Sequence, residues 1–199
     1  MSVSDHPPSP LHPRQVFLFS GHIMDAPDRP APRFPPAREA HAAARIAEAL
    51  DALGAGPADI GYTQGAAGAD LLFAEAALQR GVRMQLLLPF EVDEFVRRSV
   101  LPAAHGEHWR ERFYAVRARL DRPPRVMTRE PAAGGSDAAV TNPFERCNLW
   151  LLDTALAWGA DRLKLVCLWN GEGGDGAGGT AHMVAETRRR GGEVIRIPP

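Results

Sequence analysis

Residues 163–190 read LKLVCLWNGEGGDGAGGTAHMVAETRRR, and this stretch decides the fold. Leu163 to Trp169 is a nearly continuous apolar run, too short for a buried helix and suited to a strand covered on both faces. A glycine-rich loop from Gly171 to Gly179 follows, and residues 181–190 have helical composition. A strand, a glycine loop and a helix in that order form one βα unit of a parallel sheet.

The same alternation extends outward in both directions. Towards the C-terminus, residues 193–197 read as a closing strand. Towards the N-terminus, residues 16–19 (VFLF) form another short apolar run, ending at Ser20-Gly21. A proline-rich loop over 23–36 leads into an alanine-rich helix over 37–53, with Ile46, Leu50 and Leu53 at helical spacing. Residues 59–63 predict a weak strand, 69–80 a helix and 82–88 a strong strand stopped by Pro89. Helices follow over 92–100 and 105–120, the second placing Trp109, Phe113, Val116 and Leu120 on one face. Residues 125–128 predict a strand that Pro123 and Pro124 push to a sheet edge. Residues 131–140 read as a flexible excursion and 143–158 as a helix, apolar on more than one face. That helix is either buried on both sides or lies at a dimer interface. The fold expected is a Rossmann-like three-layer α/β sandwich with a mostly parallel central sheet, spanning 15–199 as one domain behind a proline-broken, disordered tail over 1–14.

Composition narrows the function. The chain has 199 residues and a formal charge of −1, which argues against a dedicated nucleic-acid binder. Lys164 is the sole lysine, so there is no Walker lysine. Cys147 and Cys167 read as core residues of a protein in a reducing cytoplasm. No apolar run reaches membrane-span length and the N-terminus does not resemble a signal peptide, so no membrane partner is expected. His105 and His108 share a helix face without a third ligand, and neither a metal nor a cofactor is expected.

Ligands of open parallel sheets bind beyond the carboxyl ends of the strands, which directs attention to three loops. In Gly65-Ala66-Ala67-Gly68-Ala69-Asp70 the glycines let a backbone approach a ligand, and the helix start offers amides to an anion. Asp70 either caps that helix or accepts a ribose hydroxyl. In the second loop, Gly178, Gly179 and Thr180 open a helix that has no acid in its first turn, a site for phosphate; the alternative is a plain linker with Thr180 as N-cap. Asn170 begins this loop. At the first strand, Ser20-Gly21-His22 lacks the flanks of a nucleophile elbow: Ser20 and Gly21 read as loop hydrogen-bonders at the ligand site, His22 as either a ligand donor or a solvated side chain, and the prolines and arginines that follow, through Arg29 and Arg33, as a solvated loop or a flap over the site.

Together, "GAAGAD…AEAALQRG", "LLLPF…DEF" and "LVCLWNGEGGDGAGGTAHMVAE" resemble the SLOG superfamily, Rossmann-like domains related to the Lonely Guy phosphoribohydrolases and to DNA-processing proteins of transformation. The similarity spans about residues 16–197 and is nearest to bacterial SLOG domains found beside signalling or defence effectors. It implies binding of a nucleotide or nucleotide-derived, ADP-ribose-like molecule, by a sensor or by an N-glycosidic hydrolase of nucleoside monophosphates. Lonely Guy enzymes carry PGGxGTxxE, whose glutamate is needed for catalysis. The matching position here is Met183, which cannot transfer a proton, and the next acid is Glu186. Hydrolysis would therefore need Glu75, Asp175 or His182 as a substitute, and the chain reads as a sensor before an enzyme. The family's partner arginine is matched by Arg146. The partners implied are a small-molecule nucleotide, an effector protein and, through helix 144–158, a second copy of the chain.

Overall fold

The computed structural model describes residues 12–127, 142–171 and 179–198. Its sheet contains β1 (Val16–Gly21), β2 (Ile60–Thr63), β3 (Arg83–Leu88), β4 (Arg125–Val126), β5 (Leu163–Leu168) and β6 (Glu193–Ile197). The strands stand in the order β4-β3-β2-β1-β5-β6, and every neighbouring pair is parallel. Helices α1 (Glu39–Ala52), α2 (Ala69–Gln79), α3 (Val92–Ser99) and α4 (Gly106–Ala118) contribute buried side chains to one layer of core. Helices α5 (Pro143–Leu156) and α6 (Thr180–Arg189) contribute to the other. The expected α/β sandwich is the fold found. The excursion over 131–140 and residues 1–11 of the expected tail lie outside the described residues.

Strand β1 shows why a continuous apolar run belongs at the centre of such a sheet. Its side chains alternate between layers: Phe17 and Phe19 join the core under α1 and α2, while Val16 and Leu18 join the core under α5. All four are buried, each worth about 1.5–3 kcal/mol of burial. The helices follow the same logic with a period near 3.6. Ala42, Ile46 and Leu50 form the inner stripe of α1, and Trp109, Phe113 and Val116 that of α4. The short strand β4 does lie at the sheet edge, next to Pro123 and Pro124.

The helix expected over 143–158 buries one stripe, Cys147, Leu151, Leu152 and Ala155, against the sheet. Phe144, Trp150 and Leu156 remain half-buried on its flanks. Cys147 and Cys167 are buried, unpaired thiols, as core residues should be. No helix among the described residues is long and apolar enough to cross a membrane.

Asp59, directly before β2, is a fully buried carboxylate at the end of the sheet where the strands begin. The Asp59 carboxylate accepts from the Arg14 guanidinium (2.8 and 3.1 Å), the Gln15 amide (3.1 Å) and the Gly56 amide (2.9 Å). These bonds tie the entry to β1 onto the entry to β2, which compensates the desolvation of the carboxylate.

Candidate functional site

Strand β1 lies between β2 and β5, because the chain winds outward from β1 to β4 and then returns to its other side. Loops leaving β1 and β5 therefore diverge and open a crevice at the carboxyl edge of the sheet. A cavity of about 280 Å³ occupies this crevice. Its walls come from the end of β1 (Ser20, Gly21, then His22 and Ile23), from Trp169 after β5, and from Gly179 and Thr180 at the start of α6. Gln64, Ala66 and Asp70 line it from the β2–α2 turn, Ser99 from α3, Arg33 from the proline-rich loop, Asn142 from the N-cap of α5, and Phe144 and Asn148 from α5 itself.

Two of these walls meet through side chains 160 positions apart: Ser20 Oγ and Thr180 Oγ1 lie 3.2 Å from one another. The contact depends on β1 running to Gly21, beyond the apolar run, because Ser20 pairs with Cys167 and Gly21 with Leu168 of β5. Helix α6 begins with Gly179 as N-cap, in extended conformation and with no side-chain cap, and Thr180 is its first residue. The Thr180 hydroxyl therefore turns to Ser20 rather than capping the helix. An α-helix leaves its first amides without intrahelical acceptors. Among the described residues those of Thr180 and Ala181 take no protein acceptor, and no acid stands in the first turn. This end of the cavity is a set of donors suited to an anion.

The β2–α2 turn is built the other way. Gly65 and Gly68 have φ of 87° and 98°, as expected of glycines in a tight turn. Yet the chain itself uses the amides they expose. The Gly65 and Ala66 amides donate to Asp70 Oδ2 at 3.2 and 3.3 Å, the Ala67 amide to the Ser99 carbonyl, and the Ala69 amide to the His22 carbonyl. Gly65, Gly68 and Ala69 are buried beneath the cavity floor instead of lining it. Asp70, one residue inside the helix, closes the preceding loop and is not an N-cap. Gly21 has a related role, since a Cβ there would stand 2.6 Å from Ala69 Cβ, so its absence lets α2 approach the end of β1.

The Asp70 carboxyl faces the cavity and binds its proton more tightly than an ordinary aspartate, with its pKa pushed up to about 6. Burial is the leading cause, and the Ala66 and Gly65 amides and the Thr63 hydroxyl offset only part of it. The two ends of the cavity thus differ in chemistry: donors at α6, and a carboxyl at α2.

Of the residues singled out from sequence, Ser20, Gly21, His22, Asp70, Gly179 and Thr180 come together around this cavity. Asp175 and Gly178 lie outside the described residues. Asn170 and Arg146 are exposed and do not line the cavity; the Asn170 carbonyl accepts from Arg196 at 2.8 Å. Glu75 points to the other side of α2, where it pairs with Arg112 at 2.5 Å, while Glu39 pairs with the same guanidinium at 2.6 Å. His182 faces Glu145 of α5 at 3.9 Å rather than the cavity. Met183 of α6 is buried in the core shared with α5, β1 and β5. His105 and His108 are exposed at the start of α4, and neither lines the cavity.

Arg33 of the expected loop or flap, and Gln64 and Trp169 at the start of two of the expected loops, also line the cavity, and the structure adds Ser99, Asn142, Phe144 and Asn148, which the sequence did not single out. Gln64 and Trp169 directly follow strands, the signal that marks them. Asn142 precedes Pro143 as an N-cap, with its Oδ1 accepting from the Phe144 amide at 2.9 Å, a pattern also legible locally. Ser99 and Asn148 carry no such mark. No protein-family model matches this chain, and no curated protein matches its sequence.

Proposed function

We propose that this protein binds a nucleotide or nucleotide-derived, ADP-ribose-like molecule in the cavity at the carboxyl edge of its sheet. One observation carries the reading: a single cavity joins an uncapped helix start beside the Ser20–Thr180 hydroxyl pair to the carboxyl of Asp70. A phosphate suits the first group, through the amides of α6 and the two hydroxyls. A ribose hydroxyl or another donor suits the second. The similarity of the glycine loops to the SLOG superfamily supports the same class of ligand. A sensor of this kind would pass the signal to an effector protein or to a second copy of the chain.

Calorimetric titration with ADP-ribose, cyclic ADP-ribose isomers and mononucleotides should find a ligand, and Gly179→Asp should weaken it at least about tenfold. That substitution spares the fold, because Gly179 has φ −74° and ψ 176° and aspartate is a favoured N-cap. It places a negative charge where the phosphate would sit. A panel without heat or melting shift would refute the proposal.

A second reading, hydrolysis of the N-glycosidic bond of nucleoside monophosphates, is favoured by one feature. Asp70 is a cavity carboxyl whose affinity for a proton lies near neutrality, as acid–base catalysis requires. Release of free base from monophosphates, abolished in Asp70→Asn, would support it. Ligand binding without turnover would leave the sensor.

A further inference from the structure

The cavity has a polar group that neither the phosphate nor the ribose accounts for. Gln64 follows β2 and is only 8% exposed, and its Nε2 donates to Asn148 Oδ1 of α5 at 2.6 Å. In that bond Nε2 is turned to Asn148, which leaves Oε1 as the free end of the Gln64 amide. Its Oε1 has no protein partner among the described residues, yet it is not shut off from solvent. Because the residue is otherwise enclosed, the solvent it meets is that of the cavity it lines. The Phe144 ring stands on the same wall, held edge-to-face by Phe90 with centroids 5.5 Å apart. An acceptor and an aromatic ring lining one cavity, contributed by the residue after β2 and by α5 rather than by α6, have the makings of a base-reading surface.

Resting on the nucleotide-binding reading above, we propose that Gln64 and Phe144 receive the nucleobase, and that Gln64 selects bases bearing an exocyclic amine over bases with a carbonyl there. An amine, as in adenine or cytosine, donates to Oε1. A carbonyl, as in hypoxanthine or uracil, puts acceptor against acceptor and leaves both unsatisfied in a semi-enclosed site. Asn148 is the positioning residue: while its Oδ1 accepts from Nε2, the atom Gln64 offers to the cavity is the acceptor Oε1.

The test is calorimetric titration of the full chain with AMP, CMP, IMP and UMP. The expected result is tighter binding of AMP over IMP, or of CMP over UMP, by about tenfold, the size of one lost hydrogen bond with an unpaired acceptor. The size of the base that binds distinguishes a purine site from a pyrimidine site. Gln64→Leu should bring the ratio to near one. Asn148→Asp should keep the preference, because a carboxylate still accepts from Nε2 and holds the amide as it is. Equal affinities in the parent protein, tighter binding of the carbonyl bases, or a preference that survives Gln64→Leu would overturn the inference and leave nucleotide binding standing. Absence of binding by all four, with ADP-ribose also silent, would remove both.

Discussion

Replacing Asp70 by asparagine tests the electrostatics of the cavity without reference to any ligand. The carboxyl is raised from its ordinary value near 3.8 to about 6, chiefly by burial. Below pH about 4 the folded and unfolded chains both carry the proton, and the group has no effect on stability. Between about 4 and 6 the unfolded chain has released its proton while the folded one retains it. Stability therefore falls as pH rises, and above about 6 the penalty is complete. A displacement of this size corresponds to about 3 kcal/mol. Asp70 keeps one face on cavity water, so screening reduces the effect to about 1–3 kcal/mol. Asparagine has nearly the same shape, and its carbonyl oxygen can still accept from the Gly65 or Ala66 amide, but it does not ionise. Urea unfolding, followed by fluorescence of the four tryptophans, should give a stability difference between Asp70→Asn and the parent that moves in favour of the variant by about 1–2 kcal/mol between pH 4.5 and 7.5. Taking the difference cancels contributions common to the two proteins. A difference that stays flat across this range, or moves in favour of the parent, would refute the burial argument.

Three further expectations concern the scaffold. Gly68→Ala should destabilise by more than about 2 kcal/mol, since φ is 98° and the new Cβ would stand 2.6 Å from the Met24 backbone nitrogen; a melting temperature within a degree or two of the parent's would refute this. Asp59→Ala should cost about 2–4 kcal/mol in denaturant unfolding, by stranding the Gln15 and Gly56 amides; a loss below about 1 kcal/mol would show that the anchor is dispensable. Cys147 and Cys167 should resist an aromatic disulfide reagent at pH 8 until the protein unfolds, because burial raises both thiols, Cys167 to about 11. Fast titration of either in the native state would contradict their place in the core.

The alternation of strands and helices was legible in the sequence because each central strand is buried on both faces. A run such as Val16-Phe17-Leu18-Phe19 has no solvent side on which to carry polar residues, and Leu163–Leu168 carries one, Lys164, which reaches Glu193 at the sheet edge. The edge position of β4 could be read for the opposite reason, since prolines cannot serve a central ladder. The general location of the site followed as well, because the loops after parallel strands all emerge at one end of the sheet.

The separation of Glu75 from the cavity was also legible in local geometry. Five residues along a helix turn the side chain by about 140° from Asp70, so the two could not face one cavity, and Glu75 meets Arg112 instead.

What remained belonged to the tertiary structure, because it depends on distances that no local pattern encodes. Strand order alone set β1 against β5 and brought the Ser20 hydroxyl to that of Thr180. Both glycine loops announce exposed helix amides in the same way. The fold decided that those before α2 would be taken by Asp70, Ser99 and His22, and that those at α6 would stay open. The sequence by itself determined which segments are buried, through hydrophobic periodicity. Only the packed chain decided which of its polar groups are already satisfied, because a hydrogen-bond partner is chosen by proximity in space and not by position along the chain.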